Sequence, residues 1–254
     1  MFDKVSLDRA MRLIKPGIGS QLICFHYAGG RAEYFIPWRD GISKDTAVYA
    51  VQLPGHGSRI SEPLQTCIHQ LADSVVEALN ILPSRPTYFF GHSMGAALAF
   101  EVALRMQRQG RKICALFVSA RLSPHKNSGN DYHRRDEQQL LNKITSLGGS
   151  AIDYQTMPEL KALLMPIFRA DFQAIETYQR RCQQQLDCPV FACAGERDTE
   201  VSPEEMAQWQ CITKGTFELK VFDGGHFYLN DQSSALFDYI NTNIDASWHH
   251  SRNQ

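Results

Sequence analysis

Short apolar runs recur along the chain, and stretches of helical periodicity follow most of them. The runs Leu22 to Phe25, Val48 to Gln52, Tyr88 to Phe90, Ala115 to Ser119, Pro189 to Ala194 and Phe217 to Phe222 have the length and composition of buried strands. Helices are predicted over Ala32 to Ile42, Ile68 to Leu79, Ala96 to Gln109, Pro203 to Trp209 and Ser233 to Asn243. In the last of these, Leu236, Phe237, Ile240 and Ile244 share one face, with Asp231 or Ser233 as cap. This alternation predicts an α/β fold: a mostly parallel central sheet with helices on both faces.

The alternation stops between Ala120 and Val190, where no run reads as a strand. Leu140, Ile144 and Leu147 form a helical stripe over Asp136 to Leu147. A second stripe, Leu160, Leu163, Leu164, Ile167, Phe168, Phe172 and Ile175, covers Pro158 to Tyr178, and Pro166 is expected to split it. A parallel crossover needs only about a dozen residues. Residues 121–188 are therefore predicted to be an inserted helical lid beside the site, with Leu164, Phe168 and Phe172 as candidate pocket residues. The competing arrangement is a helical hairpin packed away from it. The whole chain, 1–254, is expected to be one domain, and the polar tail 247–254 is expected to fray.

Composition narrows the class. Hydrophobic residues make up 43% and charged residues 21% of the 254 positions, ordinary for a globular protein with a sizeable core. The net charge of −1 gives no global case for nucleic acid or an anionic membrane. No apolar run is long enough to span a bilayer. The N-terminus carries Asp3, Lys4, Asp8, Arg9 and Arg12 with no apolar segment between them, unlike a secretory signal. The seven cysteines are odd in number, scattered and without a C-x-x-C pair. They predict a reduced protein of the cytoplasm rather than a disulfide framework or metal site.

The chemistry starts at Gly91-His92-Ser93-Met94-Gly95, between a predicted strand and a predicted helix. That context is a nucleophile elbow, the sharp turn that lifts a serine hydroxyl above a sheet edge. It also sets the Met94 N–H at a helix N-terminus, aimed at a developing oxyanion. Serine needs a base and a group to orient that base. His226 follows the last predicted strand, and Asp198 follows the one before it. Asp198 competes for the third position with Glu196, Asp187 and Asp223; its offset from the strand favours it. The order Ser, Asp, His is that of α/β-hydrolases, and residues that each follow a strand meet at the carboxyl edge of the sheet. The loop His26-Tyr27-Ala28-Gly29-Gly30 follows the first predicted strand, and its Ala28 N–H is the candidate second oxyanion donor. His92 reads as a packing neighbour. His56, His69, His125 and His133 have no motif support. Arg121, Lys126, Arg134 and Arg135 form a basic cluster expected at the start of the lid.

These motifs, taken in order, resemble a type II thioesterase of the kind that accompanies nonribosomal peptide and polyketide synthases. Those that match are Cys24 to Gly30, Gln52-Leu53-Pro54-Gly55, Arg59, Glu62-Pro63, the elbow, Arg169-Ala170-Asp171, Cys188-Pro189, Asp198 and Gly224-Gly225-His226-Phe227, spanning about residues 20 to 240. Two positions depart from the family pattern: His26-Tyr27 replaces Pro-His, and His56 stands where Arg often follows the Pro-Gly. The resemblance implies an α/β-hydrolase fold. It implies hydrolysis of acyl groups from the phosphopantetheine arm of a carrier protein, with Ser93 as nucleophile, His226 as base, Asp198 as orienter, and Ala28 with Met94 as oxyanion donors. It implies no metal or cofactor, no nucleic-acid or membrane partner, and a monomer. A carboxylesterase with the same triad, or an idle carrier-binding module, are the alternatives.

Overall fold

The computed structural model describes residues 10–148 and 156–252. The charged positions Asp3, Lys4, Asp8 and Arg9, and the last two residues of the expected frayed tail, lie outside the described residues. Among the described residues seven strands form one sheet in the order β1-β3-β2-β4-β5-β6-β7. They are β1 (Met11–Lys15), β2 (Ser20–Phe25), β3 (Thr46–Val51), β4 (Thr87–His92), β5 (Ala115–Ser119), β6 (Val190–Gly195) and β7 (Phe217–Phe222). Every pairing is parallel except that of β1 with β3.

The central strands are buried on both faces, so their side chains supply two cores at once. Ile23, Phe25, Phe89, Leu116 and Val118 point to one side. There they meet α2 (Ile68–Leu79) and α3 (Met94–Arg108). Leu22, Cys24, Tyr88, Phe90 and Phe117 point to the other. There they meet Trp38 from the short α1 (Trp38–Gly41) and Leu236, Ile240 and Ile244 from α8 (Ser233–Arg252).

Several elements depart from the expectations. Strand β1 is an additional edge strand; Arg12 and Leu13 are exposed, and its register shifts between Leu13 and Lys15, so no period-two signal survives. The helix expected over Ala32 to Ile42 is instead a 3₁₀ turn at Ala32–Phe35 followed by α1, with Pro37 between them. The last helix runs to Arg252, through most of the stretch expected to fray. Pro166 does not split the second helix of the interval between β5 and β6, which is continuous over Pro158–Glu176. Proline's own φ is helical, and its penalty is about 3 kcal/mol. Met165, Ile167 and Phe168 around it are all buried, and burying such side chains is worth about 1.5–3 kcal/mol each. Burial wins, and the proline itself sits on the solvent side.

The interval between β5 and β6 contains α4 (Glu137–Ser146), α5 (Pro158–Glu176) and no strand among its described residues. Leu140, Leu141, Ile144, Met165, Phe168 and Phe172 make a small core of their own. Glu176 closes it by accepting from the Tyr132 and His133 N–H groups at 2.9 and 3.0 Å and from His133 Nδ1 at 2.6 Å. Short α6 (Pro203–Ala207) and α7 (Tyr228–Asp231) follow β6 and β7. Among the described residues no helix is long and apolar enough to cross a membrane.

Candidate active site

Strand β4 ends at His92 and α3 begins at Met94, so the chain reverses at Ser93. Ser93 has φ +55° and ψ −119°, a conformation costing about 1–3 kcal/mol. Close packing imposes it. A Cβ on Gly91 would stand 2.3 Å from the Gly95 carbonyl oxygen, and one on Gly95 would stand 2.2 Å from that of Phe25. The Ser93 N–H donates to the Ser119 carbonyl at 2.8 Å, tying the elbow to β5. The Ser93 side chain makes no capping bond to α3.

His226 and Asp198 arrive from adjacent strand ends. Their loops are joined by backbone bonds, Glu196 N–H to Phe222 O and Arg197 N–H to Gly224 O, both 2.8 Å. His226 Nδ1 then donates to Asp198 Oδ2 at 2.9 Å, and Asp198 Oδ1 accepts the Glu200 N–H at 2.8 Å. Both side chains are buried. With its Nδ1 carrying the proton, the neutral ring has Nε2 as its acceptor. The competitors for the third position lie elsewhere: Glu196 is exposed, Asp223 pairs with Arg197, and Asp187 lies 3.6 Å from the Lys214 ammonium. His92 is held at Nδ1 by the Ser119 hydroxyl at 2.9 Å, which also meets the Tyr228 hydroxyl at 2.7 Å. Burial, and then the neighbouring His226, push His92 well below the ordinary imidazole range, so it stays neutral beneath that ring.

Ser93 and His226 line one cavity together with Tyr27, Ala28, Ala120, Ile175, Val201 and Phe227. Neither the Ala28 nor the Met94 N–H has a backbone acceptor among the described residues. Ala28 lies in a turn closed by the Gly30 N–H on the Tyr27 carbonyl at 2.9 Å. Of the three candidate lid residues, Phe172 lines the cavity, whereas Phe168 and Leu164 are not among its walls. Phe168 is turned toward Gly29, and Leu164 is half-buried on the small core that α4 and α5 share. Leu163, placed on the same stripe by its spacing, is 53% exposed. Arg121 is also a wall residue rather than part of a surface cluster; burial lowers its pKa to about 10. Arg134 and Lys126 are exposed, and Arg135 pairs with Asp131 at 2.8 Å.

One group of side chains has no counterpart in the motif reading of the site. Asp171 Oδ2, from α5, accepts the Gly29 N–H at 2.7 Å and His56 Nε2 at 2.9 Å. His56 Nδ1 lies 2.9 Å from the Pro54 carbonyl. Both ring nitrogens thus face acceptors, which only a doubly protonated imidazole satisfies. Burial opposes that charge, but Asp171 and the Pro54 carbonyl outweigh burial and the nearby Arg59, and the His56 pKa is raised. His26, whose ring centroid is 5.2 Å away, goes the other way: burial and then His56 push it down to about 4.

These shifts have opposite consequences for stability. The His56 contribution is complete below about 6.5, its unfolded value, and is lost as pH rises through the raised folded value. The His26 contribution is complete above about 6.5 and is lost as pH falls toward 4. The melting-temperature gap between the wild type and His56→Gln should therefore narrow from pH 6 to pH 9. A gap independent of pH would mean that His56 is not charged in the folded protein.

A parallel sheet, a strained serine on its strand-to-helix elbow and a buried Asp–His pair beside it define the architecture of an α/β-hydrolase. The thioesterase domain family matches residues 20–244. The chain belongs to that family and is a serine-hydrolase thioesterase of the type II class. It is 37% identical to thioesterase PikA5 of Streptomyces venezuelae, over 90% of this chain and 82% of that protein. It is 36% identical to the "Probable cadicidin biosynthesis thioesterase" of Streptomyces griseus, over 91% of this chain and 63% of that protein. Among solved structures, the type II thioesterase BorB from the borrelidin biosynthetic cluster superposes with a TM-score of 0.86 at 35% identity, covering 93% of this chain and 98% of that one.

Proposed function

We propose that this enzyme releases acyl groups from the phosphopantetheine thiol of carrier proteins in a nonribosomal peptide or polyketide synthase, through an acyl-enzyme on Ser93. The observation that carries the reading is the Asp198–His226 bond at 2.9 Å at the wall of the cavity that Ser93 also lines. His226 Nε2 takes the Ser93 proton as Oγ attacks the thioester carbonyl. The Ala28 and Met94 N–H groups donate to the oxyanion, which needs fixed dipoles where charge develops. Collapse breaks the C–S bond, and His226 returns the proton to the leaving thiolate. Water, deprotonated by His226, then attacks the acyl-serine ester, and the tetrahedral adduct collapses to release the acid as His226 returns the proton to Ser93 Oγ. Asp198 holds the Nδ1–H tautomer throughout. Residues 121–188 act as the lid, and the enzyme works as a cytoplasmic monomer; the seven cysteines, all unbridged, suit a reducing compartment.

Rapid mixing with an acyl-carrier substrate, followed by intact-protein and peptide mass spectrometry, tests this reading. A transient mass increase equal to the acyl group, located on the Ser93 peptide, is expected. Turnover with no adduct on Ser93 would contradict it.

Two further results are expected. Because Phe172 lines the cavity and Phe168 does not, Phe172→Ala should move the preferred acyl length upward. About 1–3 kcal/mol of discrimination per methylene is the ordinary scale. Phe168→Ala should instead lower the rate on all lengths alike, and identical shifts in both variants would contradict the assignment. The carrier is expected to meet the exposed basic side chains at the lid. Reversing Arg134 and Arg135 to Glu should slow association with acyl-carrier, spare a short acyl-pantetheine thioester, and matter less as salt rises. Equal losses on both substrates would remove this patch from the carrier surface.

A further inference from the structure

The turn that presents the Ala28 N–H is held at two peptide planes. The carbonyl of the Tyr27–Ala28 peptide accepts the Gly30 N–H at 2.9 Å and lies 2.9 Å from His26 Nδ1. In a trans peptide the N–H points opposite to the carbonyl. Bonding that carbonyl within the turn therefore sends the Ala28 N–H outward. Among the described residues the next peptide, Ala28–Gly29, is held at its N–H alone, and the acceptor is Asp171 Oδ2 at 2.7 Å. Gly29 has φ +77°, which glycine adopts at no steric cost, so no side chain of its own fixes this plane and the bond to Asp171 is what sets it.

The partner does not belong to the loop. Asp171 is on α5, 142 residues further along the chain. The same helix presses Phe168 onto the turn: a Cβ on Gly29 would stand 2.0 Å from Phe168 Cε1. Asp171 is 1% exposed, and its Oδ1 has no protein partner among the described residues. Burying a carboxylate with one oxygen unpaired is costly unless it faces a positively charged donor. His56 supplies it at 2.9 Å on Oδ2, the oxygen that also holds Gly29.

We propose that Asp171 is a positioning residue of the oxyanion loop: from the lid helix it grips the Gly29 N–H, so the aim of the Ala28 N–H depends on that helix being seated, with His56 keeping the carboxylate in place. This rests on the reading of Ala28 as an oxyanion donor to the Ser93 adduct. It links lid and chemistry directly, because a lid helix that lifts away releases the turn. The oxyanion hole is then complete only under a closed lid.

The test is the rate and extent of Ser93 labelling by an acyl-chain phosphonate on the full-length enzyme, alongside kcat and KM for a short acyl-pantetheine thioester. The phosphonate adduct carries its oxygen where the oxyanion forms, so it reports the hole whatever the natural substrate is. Asp171→Ala should label about 30- to 100-fold more slowly, at or just below the low end of the about 10²- to 10³-fold cost of losing a donor outright, because the Ala28 N–H is misaimed rather than removed. Its labelling should still reach every molecule, and kcat should fall by a similar factor with KM within about threefold. Asp171→Asn keeps an acceptor oxygen for Gly29 and should recover to within about fivefold of the wild type. If Asp171→Ala does not fold, Asp171→Ser, which keeps a polar hydroxyl in the site but is too short to reach Gly29, should show the same slow, complete labelling. Wild-type labelling rates in folded Asp171→Ala or Asp171→Ser would overturn the proposal. So would a reduced extent with an unchanged rate, which is the signature of partial unfolding. Absence of Ser93 labelling in the wild type would overturn the reading of the site itself, and the proposal with it.

Discussion

Ser93→Ala should lose turnover by a factor on the order of 10⁴ to 10⁶ while the protein stays folded. Alanine fills the elbow without new contacts, and Ser93 makes no side-chain bond to α3 that its loss would break. The substitution leaves the positive φ and its strain in place, so the melting temperature should move little. Ser93→Gly makes a useful companion: it should be equally inactive but more stable, because glycine adopts φ +55° at no steric cost. Retention of more than about a tenth of the wild-type rate would require another nucleophile. Cys24 is the nearest in the motif, but it is fully buried in β2 and burial raises its thiol well above the ordinary range, which disfavours the thiolate.

The second large effect is expected at Asp198. Asp198→Asn preserves shape, but its amide can donate to His226 Nδ1 and so favour the tautomer with the proton on Nε2. That tautomer has no lone pair for the Ser93 proton, and a loss on the order of 10⁴ in kcat is the precedent for such a swap. Glu196→Gln is the control. Glu196 points to solvent two residues away, and its substitution should change kcat by less than about twofold. The kinetic constants of the two variants under saturating substrate decide the matter. Near-normal turnover in Asp198→Asn, or greater damage from Glu196→Gln, would mean that another group orients His226.

What the chain reveals before it is folded follows from the range of the interactions involved. Helix Ile68–Leu79 and strands Ala115–Ser119 and Phe217–Phe222 coincide with the expected bounds because their apolar periodicity and their punctuation are local. Ser93 and His226 stand out in the sequence as site candidates for the same reason: each sits in a glycine-flanked motif beside its own strand. Asp198 needed one step more, the offset from a strand end. Strand β1 was not legible, because Met11 faces one core and Ile14 the other, with a register shift between. The continuous helix through Pro166 was not legible either, since its support is tertiary burial of Met165, Ile167 and Phe168. The Asp171–His56 pair joins residues 115 apart in sequence. Arg169-Ala170-Asp171 carried a resemblance but no chemistry, and His56 stood as a departure from the family pattern. Only the fold brings the two together under Gly29.

The proposed Ser93 chemistry serves carrier-bound thioesters rather than simple esters. It is tested most directly by measuring kcat/KM for one acyl group presented on three leaving groups: a holo-carrier protein, free pantetheine and a small alcohol. The expected order is carrier, pantetheine, alcohol, with the carrier ahead of the alcohol by at least about a hundredfold and the whole series abolished in Ser93→Ala. Equal or greater kcat/KM for the alcohol ester would contradict it and identify the enzyme as a carboxylesterase built on the same triad.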